Sequence, residues 1–253
     1  MNLTVEPAVL TAFLLAMARS FGFVYFAQPF ALPSIPRIVR VALGVAFGIA
    51  GGARMVHQVA VPSSTGSLVV GILLQGVEGA LIGYLVNVFM NIGSSAGSSV
   101  GLFGGFSPPP SLDPLSLNQS PSTGQLYGLL WMTLFFVSGG ATLVVGGLLN
   151  TFRVSTIFST PELGFVIVVK SVSVLMGAAI QIAAPILAVL FLTQVIVGVL
   201  TKVAPQLNPF MFSFPLQILL SLALISLSLV LLPSFLGNAV QYMISAEHDL
   251  IGG

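Results

Sequence analysis

The stretch Leu200–Gln217, LTKVAPQLNPFMFSFPLQ, decides the fold because it separates two of the longest apolar runs in the chain, Phe165–Leu200 and Ile218–Leu232. It contains the prolines Pro205, Pro209 and Pro215. Each proline lacks a backbone N–H donor and crowds the preceding turn, so a helix is not expected to continue through all of them. The pattern predicts that one helix ends here, the chain reverses, and another helix begins.

The composition is that of a chain surrounded by lipid or by other protein. Of 253 residues, 56% are hydrophobic and 5% are charged, and the mean hydropathy is +1.09. A soluble domain carries about 25% charged residues, so these values indicate an integral membrane protein. The formal net charge of +1 gives no reason to expect nucleic-acid binding, and the absence of cysteine excludes disulfides and thiolate metal sites.

Proline- and glycine-rich breaks recur along the chain and predict its organisation. We expect an all-α integral membrane protein in which long kinked helices and helical hairpins are joined by such breaks. We treat residues 1–253 as a single membrane domain, with N-terminal helices over 1–106, an irregular proline-rich loop over 107–124, and C-terminal hairpins over 125–253. Besides the two runs named above, the apolar candidate helices are Ala8–Phe26, Val41–Ala50, Ser67–Ile92 and Gln125–Phe152.

Three segments carry more specific expectations. The Gly- and Ser-rich run Gly93–Gly105 is a poor lipid-facing helix, and it suits tight packing against another subunit or a flexible constriction. Trp131 beside Tyr127 fits an aromatic belt at a membrane interface. Phe165–Leu200 has about twice the length of one crossing, so it either projects as a long straight helix or kinks or reverses near Pro185.

Ionisable residues inside apolar segments are the first candidates for function. Arg19 lies near the far end of the first apolar segment, where it either snorkels to the interface or has a specific partner. Glu78 lies inside the third segment, where an ionisable group is a functional-site hypothesis by default. We favour the simpler interpretation that Glu78 is a carboxyl group buried against a neighbouring helix.

The third apolar segment also carries a face of small and amide residues. Gln75, Gly79, Gly83 and Asn87 are spaced by four and therefore share one side of a helix. Small residues there allow close helix approach, and the amides can hydrogen-bond across the contact. The full set of candidate buried polar or intersubunit residues is Arg19, Gln75, Glu78, Asn87, Lys170, Gln181, Lys202 and Asn208.

Catalytic and cofactor-binding patterns are missing from the sequence. It contains no G-x-S-x-G, H-E-x-x-H, P-loop or dinucleotide-binding motif. The six acidic residues are scattered, and His57 has no metal-spaced partner, so we interpret it as a loop histidine. We therefore expect no enzyme activity, no cofactor and no metal site.

Several motifs in fixed order resemble the bacterial FliR family of the flagellar protein-export apparatus, whose injectisome counterpart is the SctT family. The resemblance extends from Leu3 to about Gly237. The most specific block is Lys202–Phe210, KVAPQLNPF. The other matching stretches are Arg19–Gly22 (RSFG), Ile35–Arg40 (IPRIVR), Glu78–Gly83 (EGALIG), Ala96–Gly101 (AGSSVG) and Asp113-Pro114.

The resemblance implies a core subunit of the flagellar type III export gate, a channel that passes unfolded flagellar proteins across the inner membrane at the flagellar basal body. It implies a helical assembly with FliP-like and FliQ-like subunits, an FlhB-like subunit, membrane lipid and translocated substrates. A plug that closes the pore would correspond to Gly101–Pro114. The candidate gating residues within and beside it are Phe103, Phe106, Pro108, Pro109, Pro110, Asp113 and Pro114. The alternatives are an injectisome export-gate subunit and a small-solute secondary transporter.

Overall fold

A computed structural model describes residues 6–59, 62–106, 121–153, 161–203 and 209–252. Within these ranges the chain is helical and contains no strand. The predicted all-α class is therefore confirmed for the described residues. The helices are α1 Pro7–Phe26, α2 Arg37–Met55, α3 Thr65–Phe103, α4 Ser122–Val137, α5 Gly140–Thr151, α6 Pro161–Val203 and α7 Pro209–Gly252.

Most of these helices are long and apolar enough to cross a membrane. Five candidate spans occur among the described residues, and the pair α4 and α5 adds a sixth if it is counted as one broken span. About 20 apolar residues cover the hydrocarbon core. The five spans are Pro7–Phe26, Arg37–Met55, Thr65–Phe103, Val169–Val203 and Pro215–Gln241.

The chain divides into two compact units, which we describe separately. Unit 1 comprises Met1–Phe89, Gly139–Ser173 and Tyr242–Gly253. Unit 2 comprises Met90–Ser138 and Val174–Gln241.

In unit 1, glycines of α2 form the contact with α1. Gly44, Gly48 and Gly52 share one helix face. A Cβ atom added to any of them would lie only 2.5–2.7 Å from the nearest atom of an α1 side chain. The α1 residues that fill these positions are, in the same order, Phe21, Met17 and Phe13. The order is antiparallel, so each missing side chain on α2 makes room for a large one on α1.

In unit 2, the Gly- and Ser-rich part of α3 packs against α4. Gly93 lies against Trp131, and Gly97 lies against Tyr127 and Thr123. The Thr123 hydroxyl donates a 2.9 Å hydrogen bond to the Gly97 carbonyl oxygen. The flexible constriction considered for this run is therefore wrong for residues 93–103, which are helical. Tight packing is correct, but the partner is a helix of the same chain.

The aromatic pair of α4 also differs from expectation. Trp131 and Tyr127 are both fully buried, so their assignment to an interfacial belt is wrong. The glycine positions on α3 provide the space that their rings occupy. The Tyr127 hydroxyl additionally hydrogen-bonds the Ser228 hydroxyl of α7.

Proline breaks fewer helices than the sequence suggests. Pro185 lies inside α6, so the chain does not reverse there, and Pro215 and Pro233 lie inside α7. Apolar helices tolerate proline when neighbouring groups satisfy the freed carbonyl. The predicted end of one helix and start of another within Leu200–Gln217 is confirmed, because α6 ends at Val203 and α7 begins at Pro209.

Other boundaries shift modestly. The short second run becomes the full helix α2, entered from Pro36. The fourth run is divided in its middle, where Gly139 adopts a φ of 80° between α4 and α5. The loop predicted to end at residue 124 gives way to α4 at Ser122.

Candidate functional site: a buried arginine–glutamate network

Arg19 is the centre of a polar network inside unit 1. It is one of seven Lys and Arg residues in the chain, and it is fully buried although its side chain is charged. Its Nε donates to Gln75 Oε1 at 2.7 Å, and its Nη2 donates to Glu78 Oε2 at 2.7 Å. Its Nη1 donates to the Thr151 carbonyl oxygen at 2.6 Å. One guanidinium group therefore joins α1 to both α3 and α5.

The local sequence explains how α3 presents its two side chains. Gln75 and Glu78 are three residues apart, so they lie on the same face of α3 one above the other. Gly79 follows directly, and a Cβ atom there would overlap the carbonyl group of Arg19. The absence of a side chain at Gly79 brings the two backbones close enough for Arg19 to reach both acceptors.

The predicted polar face continues along the same contact. Gly83 lies against the Phe23 carbonyl oxygen, where a Cβ would be 2.6 Å away, and Asn87 Nδ2 donates to the Phe26 carbonyl oxygen at 3.1 Å. The four residues that share one face by their spacing, Gln75, Gly79, Gly83 and Asn87, therefore all lie against α1.

The electrostatics of the network depend on pairing. Arg19 and Glu78 are 0% and 5% exposed and form an ion pair at 2.7 Å. Removing one member of such a pair leaves an uncompensated buried charge and typically costs about 3–5 kcal/mol. Phe152 lies below the guanidinium carbon, 5.2 Å from its ring centroid, and is itself fully buried. Planar guanidinium groups favour such stacking on aromatic faces.

The network is suited to stabilising helix packing, and among the described residues it has no feature of a reactive centre. Its cation and carboxylate neutralise each other, and Arg19 also donates to a side-chain amide and to a backbone carbonyl. In the part of the chain that the structure describes, no group of three or more His, Asp or Glu residues is placed to hold a metal ion. The arrangement is suited to holding three helices in register.

Comparison with known proteins places the chain in a family. The family described as "Bacterial export proteins, family 1" matches residues 10–243, which is most of the sequence.

The chain belongs to this bacterial export protein family.

Among curated relatives, the chain is 23% identical over 175 residues to flagellar biosynthetic protein FliR of Escherichia coli (strain K12), covering 68% of this chain and 67% of FliR. It is 25% identical over 188 residues to FliR of Bacillus subtilis (strain 168), covering 71% and 73%. It is 26% identical over 115 residues to surface presentation of antigens protein SpaR of Shigella flexneri, covering 46% and 45%. The chain thus spans less than half the length of the SpaR relative that it matches.

Within this family member, the predicted site residues fall into separate groups. Arg19, Gln75 and Glu78 meet in the network, and Asn87 lies further along the same helix contact. Lys170, Gln181 and Lys202 are exposed on α6, so a role for them between subunits remains a prediction. Asn208 lies outside the described residues.

The predicted gating residues are only partly described. Phe103 is the last residue of α3 and is 49% exposed, and Phe106 is half-buried just beyond it. Gly105 has a φ of 79°, and the Phe106 amide donates to the Gly101 carbonyl at 3.1 Å, which is a Schellman ending of the helix. Pro108, Pro109, Pro110, Asp113 and Pro114 lie outside the described residues.

Sequence reasoning missed the α5 side of the network. Thr151 contributes a backbone carbonyl, which every residue possesses, so its role has no sequence signal. From the sequence, Phe152 is only the end of the fourth apolar run, and Arg54 is expected in a polar connection, whereas the structure places Arg54 in the last turn of α2. Arg54 Nη1 in fact donates to the Leu149 carbonyl at 2.8 Å. An arginine near the end of a glycine-rich helix was the one available hint.

Proposed function

We propose that this chain is a core subunit of the flagellar type III protein-export gate in the bacterial inner membrane. In this role it forms part of the channel through which unfolded flagellar proteins cross, and it has no enzymatic activity of its own. The observation that carries the proposal is the family match over residues 10–243. The two FliR relatives support the flagellar version because each alignment covers at least 67% of FliR.

The helical architecture is compatible with such a subunit. Large apolar side chains are exposed along α6, including Met176, Ile180, Phe191 and Ile196, with exposures of 57–66%. Surfaces of this kind require lipid or other apolar protein as their surroundings. We propose FliP-like and FliQ-like subunits as neighbours, together with an FlhB-like subunit at the same basal body.

The end of α3 is the proposed base of the gate. Gly101 and Gly104 fix this end closely, because Cβ atoms there would lie 2.7 Å from Pro121 Cβ and 3.0 Å from Ser221 Cβ respectively. Phe103 and Phe106 emerge from this fixed end. Hydrophobic side chains in a narrow pore can close it by excluding water. We propose that they act together with the following proline-rich residues as the seal.

Deletion of the gene in its own host tests the proposed function. We expect loss of motility and loss of flagellar proteins from the culture medium, and recovery of both when the full chain is supplied from a plasmid. The matched control is a strain that carries the empty plasmid. Normal motility and normal flagellar export in the deletion strain would rule out the flagellar assignment.

An injectisome subunit is the second candidate, and the 26% identity to SpaR favours it. The same deletion strain distinguishes the two systems if injectisome substrates are measured beside flagellar proteins. Loss of injectisome secretion with intact motility would favour this candidate. Purification adds a further comparison, because a stable complex with several small hydrophobic proteins is expected for either gate and not for a small-solute carrier.

The proposed seal has its own test. Deleting Phe106–Pro110 should increase ion leakage across the inner membrane while the subunit still assembles, because the apolar closure is lost. Leu126→Ala serves as a control, since this residue is 44% exposed on α4 and lies outside the proposed seal. Unchanged leakage with normal export would remove this segment from gating.

A further inference from the structure

The carboxyl end of α5 is satisfied completely by side chains and by its own last turn. The last four carbonyls of any helix have no partner within the helix. Here Leu148 O accepts from Thr151 Oγ1 at 2.7 Å, and Asn150 O accepts from the Arg153 amide at 3.0 Å. The two remaining carbonyls, of residues 149 and 151, accept from Arg54 at 2.8 Å and from Arg19 at 2.6 Å. Two cations from other helices therefore hold this one end.

The position of this helix end explains why it needs such donors. With the residues Gly140–Thr151, α5 is about 18 Å long, which is shorter than the roughly 30 Å hydrocarbon core. The carboxyl end of α5 contacts Arg19 of α1. At 1.5 Å per residue, Arg19 lies roughly 18 Å from the start of α1 and roughly 10 Å from the end of α1. When α1 crosses the bilayer, α5 thus stops at membrane depth, where water is not available for its carbonyls.

An arginine suits this position better than any neutral donor. The carboxyl end of a helix carries a partial negative charge, which a cation stabilises. The guanidinium group is planar and offers donors in several directions, so it can reach an α5 carbonyl and two α3 side chains at once. The charge itself is tolerated only because Glu78 balances it.

We infer that Arg19 is a positioning residue that docks the carboxyl end of α5 inside unit 1, and that Glu78 is its counter-ion. Arg54 holds the same end from its exposed side. Phe152 completes the docked end, because its ring fills the space above Gly51, where an added Cβ would lie 2.6 Å from the ring. The inference concerns the chain's own fold and holds whichever export system the chain serves.

The absence of cysteine makes a direct test possible. Thr151→Cys places a single thiol at the docked end, at a residue that is 3% exposed. The full chain is expressed with its neighbouring genes, and membranes are treated with a small maleimide. In the otherwise unchanged chain we expect slow labelling. Arg19→Gln combined with Glu78→Gln removes the dock without leaving a buried charge, so labelling should become about 10-fold faster or more.

Three comparisons make the result specific. Thr193→Cys, at an 8% exposed residue of α6 in unit 2, is the matched reporter and should keep its labelling rate in the double variant. Arg37→Gln removes an exposed arginine and should leave Thr151→Cys protected. Arg54→Gln should accelerate labelling less than the double variant does, because Arg19 still holds the buried side of the helix end through the Thr151 carbonyl.

The amounts of protein in the membrane test the counter-ion assignment. Arg19→Gln or Glu78→Gln alone should lower the amount at least several-fold, and the two together should restore much of it, because neutralising both partners removes the penalty of a lone buried charge. If the double variant is as scarce as the single variants, Glu78 is not the counter-ion. If it accumulates while Thr151→Cys stays as protected as before, Arg19 does not dock α5.

Discussion

One added methyl group at Gly79 should separate α1 from α3. A Cβ atom at this position would overlap the carbonyl oxygen of Arg19 and lie 2.7 Å from its carbonyl carbon and 2.9 Å from its Cα. These are backbone atoms of a packed helix, so no side-chain rotation can relieve the overlap. Since non-bonded carbon atoms pack at about 3.5–4.0 Å, the helices must move apart by roughly 1 Å.

The size of that movement sets the expected loss of stability. The hydrogen bonds from Arg19 to Gln75 and Glu78 are both 2.7 Å long. A separation of roughly 1 Å along them stretches each to about 3.7 Å, beyond the range of a hydrogen bond. Gly79→Ala thus combines overpacking with the loss of a buried ion pair, and we expect it to lower the free energy of unfolding by about 3–5 kcal/mol.

Gly76→Ala is the matched control on the same helix. A Cβ atom at Gly76 would lie 3.9 Å from the Ala18 carbonyl oxygen, which is an ordinary contact. Alanine also favours a helix over glycine by about 0.5–1 kcal/mol. This variant should therefore be as stable as the unchanged chain or slightly more so.

Heating the purified protein in detergent and measuring the fraction that stays monodisperse compares the two variants. A loss of about 3–5 kcal/mol corresponds to a midpoint lower by roughly 10 °C for a chain of this size. If Gly79→Ala and Gly76→Ala have the same midpoint, α1 and α3 do not approach closely at Gly79, and the geometry given for the network is wrong.

Two further predictions concern unit 2. Gly97→Ala should push α3 away from α4, because its Cβ would lie 2.6 Å from the Thr123 carbonyl oxygen and 2.7 Å from Tyr127 Cβ. Trp131 is the only tryptophan in the sequence and is fully buried, so its fluorescence emission should then shift to longer wavelength. An unchanged emission spectrum would contradict the packing of α3 against α4. Tyr127→Phe removes the hydrogen bond to Ser228, whose hydroxyl still donates to a carbonyl of its own helix, so we expect a loss of only about 1 kcal/mol and a midpoint lower by about 3 °C in the same heating assay. A midpoint lowered as much as that expected for Gly79→Ala would contradict this assignment.

Periodicity predicted the parts of the site that depend on one helix alone. The spacing of Gln75, Gly79, Gly83 and Asn87 fixes them to one face because helix geometry is the same everywhere. The same rule was available for Gly93 and Gly97, and applying it to them would have favoured tight helix packing over the flexible constriction.

Pairing between helices was not predictable in the same way. The sequence left Arg19 with two interpretations, and the structure shows the one with a specific partner, Glu78, 59 residues away in sequence. Which helices are neighbours depends on the whole packing arrangement, which no local pattern in the sequence encodes. The acceptor at Thr151 was further hidden because a backbone carbonyl has no residue type.

Aromatic residues were misplaced for a related reason. The rule that tryptophan and tyrosine lie at membrane interfaces rests on their polar atoms needing water or headgroups. Tyr127 satisfies that need inside the protein through the Ser228 hydroxyl. The glycine positions of α3 supply the room for the ring. The packing of α4 against α3 therefore outweighs the average preference of these aromatic residues for a membrane interface.

Several long polar side chains of this chain donate to backbone carbonyls at or near the ends of its helices. Arg19 and Arg54 donate to the last carbonyls of α5, and Asn87 donates to the last carbonyl of α1. Arg40 likewise donates, at 2.5 Å, to the Leu32 carbonyl in the turn before α2. A helix that stops among apolar groups leaves carbonyls that water cannot reach, and side-chain donors are then the remaining means of satisfying them. In a chain with 5% charged residues, the buried Arg19 thus serves the end of a short helix, and an arginine inside a span should be tested first as the partner of such an end.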